Sequence, residues 1–367
     1  MWQICYNPLM KVSVLIPYYN DKEFLPKSIE SVLNQNYKDF ELVLVNHATT
    51  DECRDIAHSY TDPRVIHIDM EKNYGAGTGL IMKKFLEKAT GEYIKPFCAD
   101  DIMYPNCLED LVSYAKTHPD IDMIFGDVEH IDKDEKSLNN SWFKSRYGFK
   151  LSNNEADCLR NYFKGHSILP YIGSFVKIGK MREIDIDVSC IMAFDMQLWT
   201  SLLLHGCKIG YFDKYVAGYR VHENQMCTSK NVRLIYSRGL YEITGLAKKY
   251  MYIEDVDLIK SIFKNNPFKN MDKSDIKFVI AYEMLLSSIP SLSYQGYTII
   301  HSMLQDENTR NYLEKKFKFG IVEFRKVYSS FVVPVDSTEK YLYLLFKRFL
   351  QHIGALIHKQ TSDRKII

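Results

Sequence analysis

The sequence predicts an α/β fold: a mixed, mostly parallel sheet with helices on both faces, followed by a C-terminal helical region. Three observations predict it. Short apolar runs alternate with amphipathic stretches from Val12 to Val112, the pattern of strands joined by crossover helices. Polar residues gather directly after these runs, where open parallel sheets bind ligands. From about Asn231 onward the apolar spacing is helical only.

Taken in order, Lys11 to Pro17 is a short apolar run ended by proline and reads as a buried first strand. Tyr18-Tyr19-Asn20-Asp21 forms a loop before a helix carrying Phe24, Leu25, Ile29, Val32 and Leu33 at helical spacing. Phe40 to Val45 is the second strand. Its polar end, Asn46 to Asp51, suits the cap of a helix from Glu52 to Tyr60. Val65 to Ile68 is the third strand, and Asn73 to Gly79 leads into a helix from Leu80 to Ala89. Gly75-Ala76-Gly77-Thr78-Gly79 fails the GxGxxG dinucleotide pattern, because its sixth position is Leu80 and it follows the third strand rather than the first. A nicotinamide oxidoreductase is therefore poorly supported. Glu92 to Phe97 is the next strand, and it runs into Cys98-Ala99-Asp100-Asp101 before the helix around Leu108 and Leu111.

Two adjacent carboxylates at a strand end suit either a solvated, helix-capping turn or a hard divalent cation with open positions for phosphate oxygens. The architecture puts Pro17 to Asn20, Asn46-His47 and Asp100-Asp101 on one sheet edge, which favours the cation.

Ile121 to Asp132 reads as a strand, and Lys133 to Asp157 as a polar irregular loop on the acceptor side. Tyr171 to Val176 reads as a strand. Asp195 opens a helix whose Leu198, Trp199, Leu202 and Leu203 face inward. It suits a helix cap or a general base. His222 suits a hydrogen-bonded loop histidine or a metal or diphosphate contact. Further helices are predicted over Leu234 to Tyr252, Val256 to Phe263, Ser274 to Ser288 and Thr309 to Phe317, with a break at Ser288-Ile289-Pro290-Ser291. A capping box at Asp336 to Glu339 opens a last, basic amphipathic helix. That helix suits packing on its own domain or another subunit, or an anionic membrane surface. The expected division is 1–230 and 231–367.

A net charge of +1 over 367 residues excludes a global field for nucleic acid. Eight scattered cysteines without a CxxC pair suggest reduced thiols in a cytoplasmic protein. No signal peptide or membrane span is expected.

Several stretches together resemble the family 2 glycosyltransferases of GT-A (Rossmann-like) fold: Val12 to Asn20, Ser31-Val32-Leu33-Asn34-Gln35, Phe40 to Val45, Asn73-Tyr74-Gly75, Ala89 to Ile94 and Ala99-Asp100-Asp101. The resemblance resumes at Phe194 to Trp199 and Tyr219 to Asn224. It implies an inverting, nucleotide-sugar-dependent hexosyl- or N-acetylhexosaminyltransferase. Pro17, Tyr18, Tyr19, Asn46, His47, Asn73 and Asp100 would bind the nucleotide. Asp100 and Asp101, with His222 of an arginine-x-histidine motif, would hold Mn²⁺ or Mg²⁺, and Asp195 would be the general base. The implied partners are a nucleotide-sugar donor, UDP by family habit, and a saccharide or lipid-linked glycan acceptor of bacterial surface polysaccharide synthesis. The implied location is the cytoplasm, with the inner membrane face or a homo-oligomer reached through the C-terminal helices. The chain departs from the pattern at Asn46 and His47, where acids are usual, at Cys98, where another Asp is common, and at Phe194, where a Glu commonly precedes the base. Those departures leave a catalytically degenerate scaffold acting in assembly as the alternative.

Overall fold

The computed structural model describes residues 10–75, 78–145, 154–223, 225 and 232–329. The chain divides into two compact units, 1–295 and 296–367.

The first unit begins with β1 (Val12–Tyr18), α1 (Leu25–Leu33), β2 (Phe40–Asn46), α2 (Cys53–His58), β3 (Val65–Asp69), α3 (Thr78–Lys88) and β4 (Tyr93–Pro96). It continues through β5 (Ile102–Met103), α4 (Cys107–Thr117), β6 (Met123–Ile131), β7 (Ser137–Ser141), α5 (Trp142–Ser145) and α6 (Glu155–Phe163). Then come β8 (Ser174–Lys177), α7 (Ile178–Glu183), α8 (Phe194–Leu204) and β9 (Ile209–Arg220). Helices α9 (Val232–Tyr250), α10 (Val256–Ile262) and α11 (Ile276–Leu285) also lie in this unit. Helix α12 (Pro290–Gln305) runs across the boundary, and α13 (Glu307–Phe317) and α14 (Ile321–Ser329) belong to the second unit.

The sheet order is β3-β2-β1-β4-β8-β6-β9-β5, with β7 attached to β6. β1 to β4 pair in parallel, and β2 is buried at every position. Strands covered on both faces are mostly apolar, which is why β1 and β2 read as near-continuous apolar runs, and their buried Ser13 and Glu41 hydrogen-bond each other across the pair at 2.6 Å. β3 is the edge strand, only part-buried, and tolerates His67 and Asp69. β8 runs antiparallel to β4 and β6, whereas β9 runs parallel to β6 and antiparallel to β5. The short β5–β9 pairing, Ile102 opposite Gly218, brings the carboxyl end of β9 against the turn that follows β4. The mixed, mostly parallel sheet expected from the alternation is what forms.

Two stretches differ from expectation. Residues 133–157 are not wholly irregular: β7, Ser-Leu-Asn-Asn-Ser, pairs antiparallel with β6 although most of its side chains are exposed. It carries no apolar alternation because backbone pairing and polar side-chain contacts, Ser137 to Glu129 and Asn140 to His130, hold it. Pro290 does not merely break the helical pattern; it starts α12, where its missing N–H costs nothing in the first turn. The helix expected after Asp336 lies outside the described residues. Among the described residues no helix is long and apolar enough to cross a membrane.

Candidate active site

The turn after β4 is held from both sides. Phe97 N–H still bonds Leu15 C=O at 2.8 Å, so the chain leaves the sheet only at Cys98. Helix α1 and the turn just after it then grip the loop with three side chains. Ser28 Oγ donates to Cys98 C=O (2.8 Å), Ser31 Oγ accepts from Met103 N–H (3.0 Å), and Gln35 donates to Tyr104 C=O (2.8 Å) and accepts from Leu108 N–H (3.1 Å). The Ser31-to-Gln35 stretch thus serves as the bracket of the acidic turn.

From the other side comes Arg220, fully buried at the end of β9. Its backbone N–H donates to Asp101 Oδ1 at 2.8 Å. Its Nε donates to Asp100 C=O (2.8 Å), its Nη1 to Lys133 C=O (2.7 Å), and its Nη2 reaches Glu135 at 3.4 Å. The guanidinium lies over the Phe24 ring, 4.8 Å from its centroid, and the His222 ring packs against the same Phe24. Arg220 is therefore an internal strut joining the acidic turn to the hairpin before β7.

Asp101 is 1% exposed, and its Oδ2 has no hydrogen-bond partner. Burial and the neighbouring Asp100 charge push its carboxyl well above the usual range, opposed by the N–H and charge of Arg220 and by the adjacent Cys98 side chain. Asp100 is half-buried, with Oδ2 3.2 Å from His222 Nε2. Donor atoms of Cys98, Asp100 and Asp101 lie within 4.8 Å of one another. A buried carboxylate oxygen without a partner is costly, and a divalent cation beside it removes that cost. The residues therefore fit the expected metal.

At the ends of β1 and β2, Asn46 is buried and braces the turn. Its Nδ2 donates to Asp69 (2.8 Å), and its Oδ1 accepts from Thr49 N–H (2.9 Å). His47 is also buried. Its Nε2 accepts from Tyr74 N–H at 2.9 Å, which puts the proton of the neutral ring on Nδ1. Burial lowers its pKa, favouring that neutral form. The Tyr74 ring lies nearly parallel to His47 at 9° and the Tyr19 ring lies at 66°, each 6.3 Å between centroids. Both tyrosines are exposed, so this edge presents aromatic faces to solvent. Tyr18 is instead buried in the core, with its C=O taking the His47 N–H. Pro17 is half-buried opposite Val45, and exposed Asn73 accepts from Gly75 N–H at 2.6 Å.

Asp21, in the loop between β1 and α1, carries no role in the sequence reading. Burial, then the Asp100 charge, raises its pKa to about 6. In metal-free protein its folded pKa thus lies above the unfolded value. Between about pH 4 and pH 6 the folded state binds the extra proton, so stability falls as pH rises through that window. Asp21→Asn should remove this loss and be more stable at pH 7 by about 1 kcal/mol or more. Denaturant titrations of both proteins at pH 4.5 and pH 7 check it, and an equal difference at the two pH values would refute it.

Asp195 sits in the first turn of α8. Its Oδ1 accepts from Met196 N–H (2.7 Å) and its Oδ2 from Ser167 Oγ (3.0 Å). The loop before it is clamped by Glu242 of α9, whose carboxylate accepts the N–H groups of Ile191 (3.0 Å), Met192 (2.7 Å) and Ala193 (2.8 Å) and the Cys190 thiol (3.0 Å). Between Asp195 and the acidic turn stands Tyr171. It is part-buried, its hydroxyl oxygen is shielded from solvent without a hydrogen-bond partner, and both Cys98 and Asp195 act on it electrostatically. Ser167, Tyr171, Glu242 and Asp21 carry no motif and could not be picked out beforehand. Each is a polar residue whose surroundings are set by residues far along the chain.

The model of the family described as glycosyl transferase family 2 matches residues 13–169. An uncharacterized glycosyltransferase of Rickettsia typhi is 32% identical over 252 residues, covering 68% of this chain and 74% of that protein. The chain belongs to glycosyltransferase family 2. An uncharacterized glycosyltransferase of Methanocaldococcus jannaschii is 30% identical over 230 residues, 61% of this chain and 76% of its own. Among solved structures, the S. aureus TarS fragment 1–349 in complex with UDP-GlcNAc superposes with a TM-score of 0.56 at 17% identity, covering 88% of this chain and 91% of that one. This family 2 glycosyltransferase therefore has the GT-A fold, and Tyr19, His47 and Asp100 lie just beyond the carboxyl ends of its parallel strands β1, β2 and β4, the edge at which open sheets of this kind generally bind ligands.

Proposed function

We propose that this glycosyltransferase moves a sugar, with inversion, from a nucleotide-sugar donor of the UDP class to a hydroxyl of a saccharide or lipid-linked glycan, as in bacterial surface polysaccharide synthesis. The observation that carries the reading is the acidic turn, a buried carboxylate with an unpartnered oxygen at the sheet edge, beside exposed aromatic rings. Tyr19 and Tyr74 offer faces on which a nucleobase stacks. Pro17, Tyr18 and Asn73 would complete the nucleotide-binding surface at the same edge. His47 Nδ1–H is a donor, and Asn46 holds that turn in place. TarS, of the same fold, is described in complex with UDP-GlcNAc, which is why the UDP class is tested first.

Asp195 would take the proton of the acceptor hydroxyl as its oxygen attacks the anomeric carbon. The bond from that carbon to the diphosphate breaks on the opposite face, and its electron pair leaves with the diphosphate. Hydrogen bonds from Ser167 and Met196 to the carboxylate set its direction. Arg220 and α1 keep the acidic turn rigid, so little reorganisation is needed when charge develops. Mn²⁺ or Mg²⁺ held by Asp100 and Asp101, with His222 beside them, would neutralise charge on the departing diphosphate.

Thermal shift with nucleoside diphosphates and nucleotide sugars, with and without Mn²⁺, tests this. A ligand at ~100 times its dissociation constant adds about 2.7 kcal/mol of stability. The expected result is a metal-dependent shift with uridine nucleotides. A folded protein that shifts with no nucleotide would instead support a degenerate scaffold.

A further inference from the structure

Cys98 opens the acidic turn, and the geometry around its side chain points to a role for it. Among the described residues, Cys53, Cys107, Cys158, Cys190 and Cys207 are buried, whereas Cys98 is only part-buried. Its main chain is pinned by the Ser28 hydroxyl on its C=O. Its sulfur lies with oxygens of Asp100 and Asp101 in a group whose members are within 4.8 Å of one another. Ligands at bonds of about 2.0–2.5 Å around one cation stand at such separations. Asp101 gives Oδ1 to the Arg220 N–H, so Oδ2 is the oxygen left over, buried and without a partner.

We infer that Cys98 is itself a ligand, and that this turn is a mixed thiolate–carboxylate site selecting thiophilic divalent cations over Mg²⁺. The inference rests on the reading of the turn as a cation site. A thiolate is a soft donor, and at a mixed site affinity rises along Mn²⁺, Co²⁺ and Zn²⁺, whereas Mg²⁺ prefers oxygen ligands and sheds water reluctantly. As the metal–sulfur bond forms, the thiol proton leaves to solvent. An aspartate at this position would give an all-oxygen site suited to Mg²⁺ or Mn²⁺. The cysteine thus changes which metal the protein takes rather than abolishing binding.

The test is a Co²⁺ titration of the full-length protein without nucleotide, followed by absorbance and by calorimetry. The expected result is a thiolate-to-cobalt charge-transfer band in the near ultraviolet that saturates with one calorimetric site. The band should vanish in Cys98→Ser, whose melting curve confirms that it folds. In Cys98→Asp, cobalt should still bind without the band, and the ratio of Mg²⁺ to Co²⁺ affinity should rise at least about tenfold. Cobalt binding without the band, an equal band in Cys98→Ser, or no cobalt binding would each overturn the inference. Nucleotide binding with Mn²⁺, run separately, distinguishes the two readings. If nucleotides bind and no band appears, the ligand assignment fails alone. If the band appears and no nucleotide binds, the donor reading fails and the thiolate site stands.

Discussion

Asp195→Asn should lower kcat by about 10²–10⁴-fold while leaving nucleotide-sugar affinity unchanged. The magnitude is what general-base help contributes when a positioned carboxylate takes a proton in the transition state. The substitution is well suited to the question because it keeps the shape. An amide oxygen can still accept from Met196 N–H, and the Ser167 hydroxyl can turn to accept from the amide nitrogen. The loop before α8 is fixed independently by Glu242, so the helix start should not move. What is lost is the basic oxygen. Steady-state kinetics and a donor titration on the same preparation check both halves of the expectation. A fall in donor affinity with little change in kcat would place Asp195 in the donor pocket and end its assignment as the base.

Arg220→Met should destabilise the protein by roughly 2–5 kcal/mol, the largest stability effect expected of a single site residue. Its guanidinium is fully buried and donates to the carbonyls of Asp100 and Lys133. Methionine fills much of the space and donates nothing. Two carbonyls are then left without their partners at about 1–3 kcal/mol each, and the contact over Phe24 loses its charge. The backbone N–H to Asp101 survives, so the effect isolates the side chain. Arg220→Lys should recover only a small part, because a single ammonium cannot reproduce the forked donation to two carbonyls. Urea denaturation of the three proteins measures this. A loss below about 1 kcal/mol, the range of ordinary substitutions, would show that the strut is not needed. The same Arg220→Met protein should bind metal more weakly than wild type, since the Asp100 backbone would lose its anchor.

The sequence by itself determined the first half of the sheet and the position of the acidic turn. β1 and β2 are buried almost along their length, so their composition had to be mostly apolar, with the buried Ser13 and Glu41 bonded to each other, and α1 had to carry its apolar residues at helical spacing. Local periodicity records burial, and burial is legible one segment at a time. Asp100 and Asp101 stood out because two carboxylates at a strand end are expensive without a purpose. Tertiary structure alone decided how the polar residues are used. Asn46 turned out to brace its own turn through Asp69 and Thr49, and Arg220 to face inward as a strut. Glu242, one acid in an ordinary helix, clamps the loop before Asp195, and β7 pairs through its backbone without any apolar pattern. A hydrogen bond needs two groups within about 3 Å in the right direction. For residues far apart in the chain, that proximity comes from the packing of whole elements, which no local pattern of residue types records.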